Sequence, residues 1–280
     1  MCTDGWHVTD SVELLLGRTL PFLESRPALH TMLLTVVEKL RAGAPVVVLG
    51  WLECSGGVRA AFYWLPGGGL CVTSLESEQA DSLSRRLLAL GHNPPYVSAD
   101  LPTAALFGDA WQRHSGARPS LRVQLHLYRL GALTPPDPVP AGRGRAVRQR
   151  DQAQLVRWCR EFAADVGEDV PADAGSWGGT RFAQKRYTFW ETPDGTPVSM
   201  AGVNPMVGGQ VRVDPVYTPA HLRGRGYAGA VTVAVSRAAL EAGATDVVLF
   251  TDPANTTSNA LYRRIGYRPV ADWAAYDFAY

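Results

Sequence analysis

Apolar residues recur at the three-to-four spacing of a helix in two stretches near the start of the chain, SVELLLGRTLPFLES (residues 11–25) and ALHTMLLTVVEKLRAG (28–43). The pattern then changes to short apolar or alternating runs, PVVVLGWLE, VRAAFYWLP and GLCVTSL, which predict three strands. Helical spacing returns in ADSLSRRLLALG and TAALFGDAWQRHSG, and strict alternation in LRVQLHLYRL (121–130) predicts a further strand. The resulting order is ααβββα(β)αβ.

The same order comes a second time. RDQAQLVRWCREFAADVG (150–167) sets Leu155, Val156, Cys159, Phe162 and Ala163 on one helical face, and residues 172–186 read as a second helix. Three strands follow in RYTFWET, TPVSMAGVNPM and GQVRVDPVYT, separated by the hairpin-type turns PDG and VGG. GYAGAVTVAVSRAALEAGA is a helix that closes on Gly243, and the continuous apolar run of DVVLFTD is a buried strand. A short helix in NTTSNALYRRIGY, starting at a Thr or Ser cap, and one or two strands in RPVADWAAYDFAY complete a mixed α/β pattern. Between the two copies, GALTPPDPVPAGRGR (131–145) concentrates prolines and glycines where neither helix nor ladder runs comfortably. The expected division is therefore 1–132, a connector at 133–144, and 145–280, with the first half a degenerate copy of the second.

Composition narrows the function. With 46% hydrophobic and 19% charged residues, the 280-residue chain is ordinary globular protein. The net charge of +1 is shared almost evenly between the halves, so neither carries the field of a dedicated nucleic-acid binder, and no such partner is expected. The opening residues lack a basic stretch followed by a long apolar one, and the longest apolar run, APVVVLGWL, is too short to span a bilayer. A cytoplasmic protein without a membrane partner is the expectation. Cys2, Cys54, Cys71 and Cys159 show no metal-ligand spacing, so no metal is expected and all four are read as thiols.

Chemistry concentrates in TPAHLRGRGYAGAV (218–231), a glycine-rich turn between strand and helix, the usual place for an anion. No Gly-Lys-Ser/Thr is present, which excludes the P-loop. Gly224, Gly226 and Gly229 do spell the dinucleotide fingerprint, with Asp252 after the next strand. Against that reading, PAHLR intervenes between the strand and the first glycine, and the residues beyond Asp252 are too few for the rest of a doubly wound sheet.

RGRGYA (223–228) and ANTTSNALYRRIGY (254–267) instead resemble the two signatures of the GNAT acyltransferase superfamily, R/Q-x-x-G-x-G/A and N-x-x-A/S-x-x-x-Y-x-x-x-G-F/Y, over about residues 145–280. The resemblance implies a tandem GNAT fold whose C-terminal copy is catalytic. It also implies acetyl-CoA as co-substrate and an N-acetyltransferase activity toward a small-molecule amine, a peptide N-terminus or a lysine, by direct attack in a ternary complex. Gly224, Gly226, Tyr227 and Ala228 would hold the pyrophosphate, and Arg223 and Arg225 would bond the pyrophosphate or the ribose 3′-phosphate, or equally be solvated arginines at a helix start. The backbone of Val216, Tyr217 and Thr218, beside Pro215, which implies a bulge or an edge in its strand, would hold the pantetheine arm. Asn255 would bond its amides, with Ser258 in the position where the family usually has alanine, and Asn255 could equally serve as a helix cap. Tyr262 would be the general acid toward the departing thiolate. The general base is either a carboxylate, with Asp214 and Glu191 as candidates that could each be solvated or structural instead, or a relay of water, while His221 reads as surface. The first half either walls the acceptor site or stabilises its partner, and a monomer or homodimer is expected. An aminoacyl-tRNA or carrier-protein donor, or acyl-CoA binding without turnover, remain open alternatives.

Overall fold

The computed structural model describes residues 5–168 and 180–280. Their packing divides into two units. One takes the chain as far as Tyr128 together with Phe250–Ala254 and Pro269–Tyr280, and the other takes Arg129–Leu249 and Asn255–Arg268.

The first unit runs β1 (Trp6–Thr9), α1 (Val12–Glu24), α2 (Thr31–Arg41), β2 (Val48–Cys54), β3 (Gly57–Trp64), β4 (Leu70–Val72), α3 (Ser77–Ala89), β5 (Tyr96–Asp100), α4 (Leu101–Ser115) and β6 (Arg118–Leu130). Strands β1 to β4 pair antiparallel in order. The step from β4 to β5 is parallel, with Leu70 beside Val97 and Cys71 beside Ser98, so the chain must cross over, and α3 is that crossover. On the other edge of β5 lies the last strand of the chain, β12 (Tyr267–Ala279), antiparallel from Trp273 opposite Asp100 to Asp277 opposite Tyr96. Helix α4 starts where Asp100 accepts the Thr103 N–H at 3.1 Å and stops at Gly116, whose φ of +77° few other residues tolerate. Its Phe107 and Trp111 stack at 5.7 Å, and Phe278 of β12 packs on Trp111 at 5.8 Å. Burying rings of this size contributes about 2–3 kcal/mol each. Cys71 is free and buried, as expected, but Cys54 is disulfide-bonded where a thiol was expected.

The second unit runs β7 (Arg143–Ala146), α5 (Gln152–Asp165), β8 (Arg186–Glu191), β9 (Pro197–Val203), β10 (Gln210–Tyr217), α6 (Tyr227–Glu241), β11 (Asp246–Thr251) and α7 (Thr256–Arg264). The sheet order is β7-β8-β9-β10-β11, antiparallel except for the β10–β11 step, which α6 crosses. Both hairpin turns form where glycine can take positive φ, at Gly195 and at Gly208 with Gly209. The core between α5 and the sheet is aromatic, with Trp158 edge-on to Phe189 at 5.1 Å and Tyr187, Met200 and Tyr217 buried around them. Part of the helix expected over 172–186 lies outside the described residues. The rest is not helical: 181–184 is a turn and Arg186 already begins β8. The Tyr187 hydroxyl donates to the Phe182 carbonyl at 3.0 Å, and Phe182 is buried against Phe162, so the chain doubles back onto its core there.

The proline-rich connector is built onto this unit. Gly131 N–H donates to Gly266 O at 2.9 Å and Thr134 N–H to Ile265 O at 3.1 Å. Gly266 has a φ of +102°, and a Cβ there would fall on the Ala132 carbonyl oxygen, so only glycine lets the end of α7 meet the connector. Arg143–Ala146 already pairs with β8.

Candidate active site

Strand β10 is where the regular ladder fails. Val213 pairs with Val203 but Val216 pairs with Ala201, so one residue too many lies between them. Pro215 cannot donate to a ladder, and the chain accommodates it as a bulge. Gly202 faces this point, and a Cβ on it would come within 2.8 Å of both the Asp214 carbonyl oxygen and the Tyr187 ring. On its other edge β10 pairs with β11 only from Gln210 to Arg212. Its end around Val216 and Tyr217 thus has no ladder partner on that side among the described residues.

The chain then leaves the strand by a 3₁₀ turn (Ala220–Leu222) and reaches α6 through Gly224 and Gly226, with φ of +77° and +80°. Gly226 is the N-cap and has no side chain to cap with, and among the described residues no side chain hydrogen-bonds the helix start. An α-helix leaves its first N–H groups without intrahelical partners, and its dipole places partial positive charge there. At the start of α6 those groups, including the amides of Tyr227 and Ala228, remain available to an anion. Gly229 is different: its φ is helical, and a Cβ would meet Ile265 and Leu261 at an ordinary 3.9 Å.

The two arginines of the loop do unequal work. Arg223 is turned back on the protein, donating through Nε to Thr218 O at 3.0 Å and through Nη2 to Asp165 at 2.5 Å. It fastens the loop between the end of β10 and α5, which corrects the expectation of an arginine held out for phosphate. Arg225 is exposed and only touches His221 O at 3.4 Å. The carbonyls expected to face a pantetheine arm are partly taken as well, Tyr217 O by the Ser199 hydroxyl at 2.9 Å and Thr218 O by Arg223. The Tyr217 hydroxyl donates to Glu161 at 2.8 Å, and burial followed by that carboxylate pushes the phenol up to about 12.

On α7 the cap is Asn255, not Thr or Ser, and its side chain accepts the Ser258 N–H at 3.0 Å. One turn after Ser258, Tyr262 is buried, with its ring edge-on to Tyr267 at 6.0 Å. Its hydroxyl makes no hydrogen bond among the described residues. A buried tyrosine usually finds such a partner, and this one has none within the protein's described part. Burial raises this phenol and the nearby charge of Asp214 raises it further, so it stays protonated and able to donate.

Asp214 itself is held in place. Its Oδ2 accepts from Arg181 Nη1 at 2.7 Å and from Lys185 Nζ. Burial would raise this carboxyl, but the charges of Lys185, Arg181 and Arg212 outweigh it and hold the group well below the usual carboxylate range. A carboxylate so stabilised does not take up protons near neutral pH, so the expectation of Asp214 as general base gives way to that of an anchoring anion. Glu191 is likewise engaged, accepting from Arg145 Nε at 2.5 Å while Arg145 grips Asp151 with its other two nitrogens. This cluster ties β7 and β8 to the start of α5. Arg181 and Lys185 fell inside the helix expected over 172–186, and reading that segment as a helix gave no reason to bring either of them to Asp214, whereas the turn at 181–184 does.

Among the described residues no group of His, Cys, Asp or Glu side chains could hold a metal ion, and no helix is long and apolar enough to cross a membrane.

Residues 211–276 match the model of the FR47-like protein family, a stretch that holds both the loop and Tyr262. No curated protein matches the chain. Among solved structures it is similar to a GCN5-related N-acetyltransferase from Kribbella flavida, at 17% identity over 92% of this chain and 96% of that one, with a TM-score of 0.59. A GCN5-related N-acetyltransferase from Sphaerobacter thermophilus is similar at 16% identity over 99% of this chain and 96% of that one, TM-score 0.62. A tandem GNAT protein from the clavulanic acid biosynthesis pathway is similar at 15% identity over 97% of each chain, TM-score 0.53. The chain therefore has the GNAT fold over nearly its whole length, consistent with a tandem arrangement.

Proposed function

We propose that this chain, built on the GCN5-related N-acetyltransferase fold, is an acyl-CoA-dependent N-acyltransferase that moves an acetyl group from acetyl-CoA to a primary amine by direct attack in a ternary complex. One observation carries the reading: the N-terminus of α6 is left open by the protein's own side chains, beside a bulged strand whose end has no β11 partner. The backbone N–H groups from Gly226 to Ala228 suit a pyrophosphate, with Arg225 free to swing toward it. The N–H groups at the end of β10 and the amide nitrogen of Asn255 suit the amides of a pantetheine arm. Tyr262 supplies a proton to the departing sulfur, since its hydroxyl is protonated and without a partner among the described residues. Asp214 is the anion that organises Arg181 and Lys185 next to it.

Isothermal titration with acetyl-CoA, CoA and NAD tests the reading. Both coenzyme A species are expected to bind and NAD is not. Absence of coenzyme A binding at millimolar concentration would overturn it. A chain that bound acetyl-CoA yet released no thiol with any primary amine would be a binding module instead.

A further inference from the structure

We propose that Lys185 is the proton acceptor of the transfer: its buried amine, held on the Asp214 carboxylate, takes the proton that the acceptor nitrogen sheds as it bonds to the acyl carbon. The proposal rests on the acyltransferase reading above and adds the base that reading lacks.

The first support is the chain's choice of basic residue. Of its 27 basic side chains only two are lysines, Lys39 and Lys185, and all others are arginines. Arginine makes the ion pairs at Asp151, Glu191, Glu168 and Asp165 in the same unit. If position 185 needed only a positive charge on Asp214, arginine would be the residue this chain uses. Lysine differs in one respect that matters here: it can lose its proton in a protein, and arginine cannot.

The geometry allows that loss. Sheet register sets Arg186 opposite Val203, and Val203 opposite Val213, which brings the residues just before β8 across to Asp214. The Lys185 side chain is only 5% exposed there. Arg181 donates to the same Asp214 oxygen, so the carboxylate keeps a cationic partner when Lys185 is neutral. A neutral amine still donates a hydrogen bond to Asp214 and keeps a lone pair with which to accept a proton. The charge of Asp214 is also felt by the Tyr262 phenol, which links the carboxylate that holds Lys185 to the proposed acid.

The charged and titratable groups around Lys185 come from four elements and its own segment. They are Cys159 of α5, Tyr187 of β8, Arg212 and Asp214 of β10, Tyr262 of α7 by way of Asp214, and Arg181 with the Glu168 it binds. Burial lowers the lysine first, Asp214 opposes this, and Arg212 and Arg181 lower it again, leaving it at about 8. Cys159 is pushed up to about 11 by its burial and Tyr187 is raised by its own, so both stay protonated and neither competes as a base.

The proton count closes. The acceptor nitrogen forms its bond to the acyl carbon and passes a proton to the Lys185 lone pair. The carbon–sulfur bond breaks with its electron pair going to sulfur, and Tyr262 protonates that sulfur. Lys185 then returns its proton to the Tyr262 phenolate, directly or through solvent. The products are an amide and a free thiol, with the protein unchanged.

The test uses the full chain carrying Lys39→Arg and ¹³C-labelled lysine, so that Lys185 gives the one lysine side-chain signal. Its midpoint is expected near the value of about 8, well below the roughly 10.4 of an ordinary lysine. Asp214→Asn removes an anion and should move the midpoint down, while Arg181→Gln removes a cation and should move it up. The amine must be neutral to accept, so the pH at which thiol release rises should move in the same two directions. Lys185→Arg should keep the melting temperature and the acetyl-CoA affinity while lowering kcat on the order of a hundredfold. A midpoint at the ordinary lysine value, or wild-type turnover in Lys185→Arg, overturns the proposal while acetyl-CoA binding still stands. Loss of acetyl-CoA binding by the wild-type chain overturns the acyltransferase reading and this role with it.

Discussion

Each unit has one parallel strand pair crossed by a helix, and the two differ at the end where that helix begins. In the first unit β4 is three buried residues long and unbulged, and α3 starts at Glu76 in a capping box with Gln79, whose side chain accepts the Glu76 N–H at 3.0 Å. The protein's own carboxylate sits at that helix terminus. In the second unit β10 is eight residues long and bulged, and α6 starts at Gly226 with no capping side chain. The same crossover is sealed in one copy and left open in the other. A helix terminus can serve a foreign anion only where the chain declines to satisfy it itself.

The largest effect should come from the acid. Tyr262→Phe removes only the hydroxyl and is expected to lower kcat on the order of a thousandfold with the acetyl-CoA dissociation constant unchanged. Steady-state thiol release alongside calorimetry separates the two, and unchanged turnover would withdraw the role. Next, Gly226→Asp gives the second unit a carboxylate cap like that of the first and forces a side chain onto a residue at φ +80°. Acetyl-CoA affinity should weaken on the order of a hundredfold while the circular dichroism spectrum is kept. Retained affinity would mean that the open helix end is not where the ligand binds.

Arg223→Ala should weaken binding about tenfold by releasing the loop from Thr218 and Asp165, and it should do so equally for acetyl-CoA and for CoA lacking its 3′-phosphate. A selective loss with the phosphorylated form would instead show direct contact. In the first unit, Glu76→Ala should cost about 1 kcal/mol of stability by removing the cap, read from denaturant midpoints, and should leave one acetyl-CoA bound per chain. A second binding event would show that the cap was all that closed that copy. The smallest effect is expected at Gly229→Ala, where a methyl has room and helix propensity favours it by roughly 0.5–1 kcal/mol. Loss of ligand binding there would revive the dinucleotide reading, which needs that third glycine.

Much of this was legible in order along the chain. The strands β8, β9 and β10 with their glycine turns, the glycine-opened start of α6 and the second signature ending at Tyr267 all depend on contacts a few residues apart, so local pattern suffices. The bulge was legible too, because proline in a strand has few ways to be accommodated. What escaped was short or lay between patterns. β1, at four residues, is hardly longer than one alternation, and β7 sits inside a segment rich in glycine and proline. The segment holding Arg181 and Lys185 was read as helix but forms a turn, and the scarcity of lysine in the chain was the one signal there.

By itself the sequence determined most of the helices and strands, where the glycine-rich turn lies and which tyrosine the second signature carries, because backbone preference and side-chain period act over neighbouring residues. Only the tertiary structure decided which strand the end of the chain joins, and it set that strand beside β5 in the first unit. It alone decided that Arg223 is a fastener, that Asp214 is a held anion, and that Lys185 shares its carboxylate with Arg181. Alternation shows that a strand has a buried face but not which edge receives it, and a charge acquires its chemistry from partners that folding brings from elsewhere in the chain.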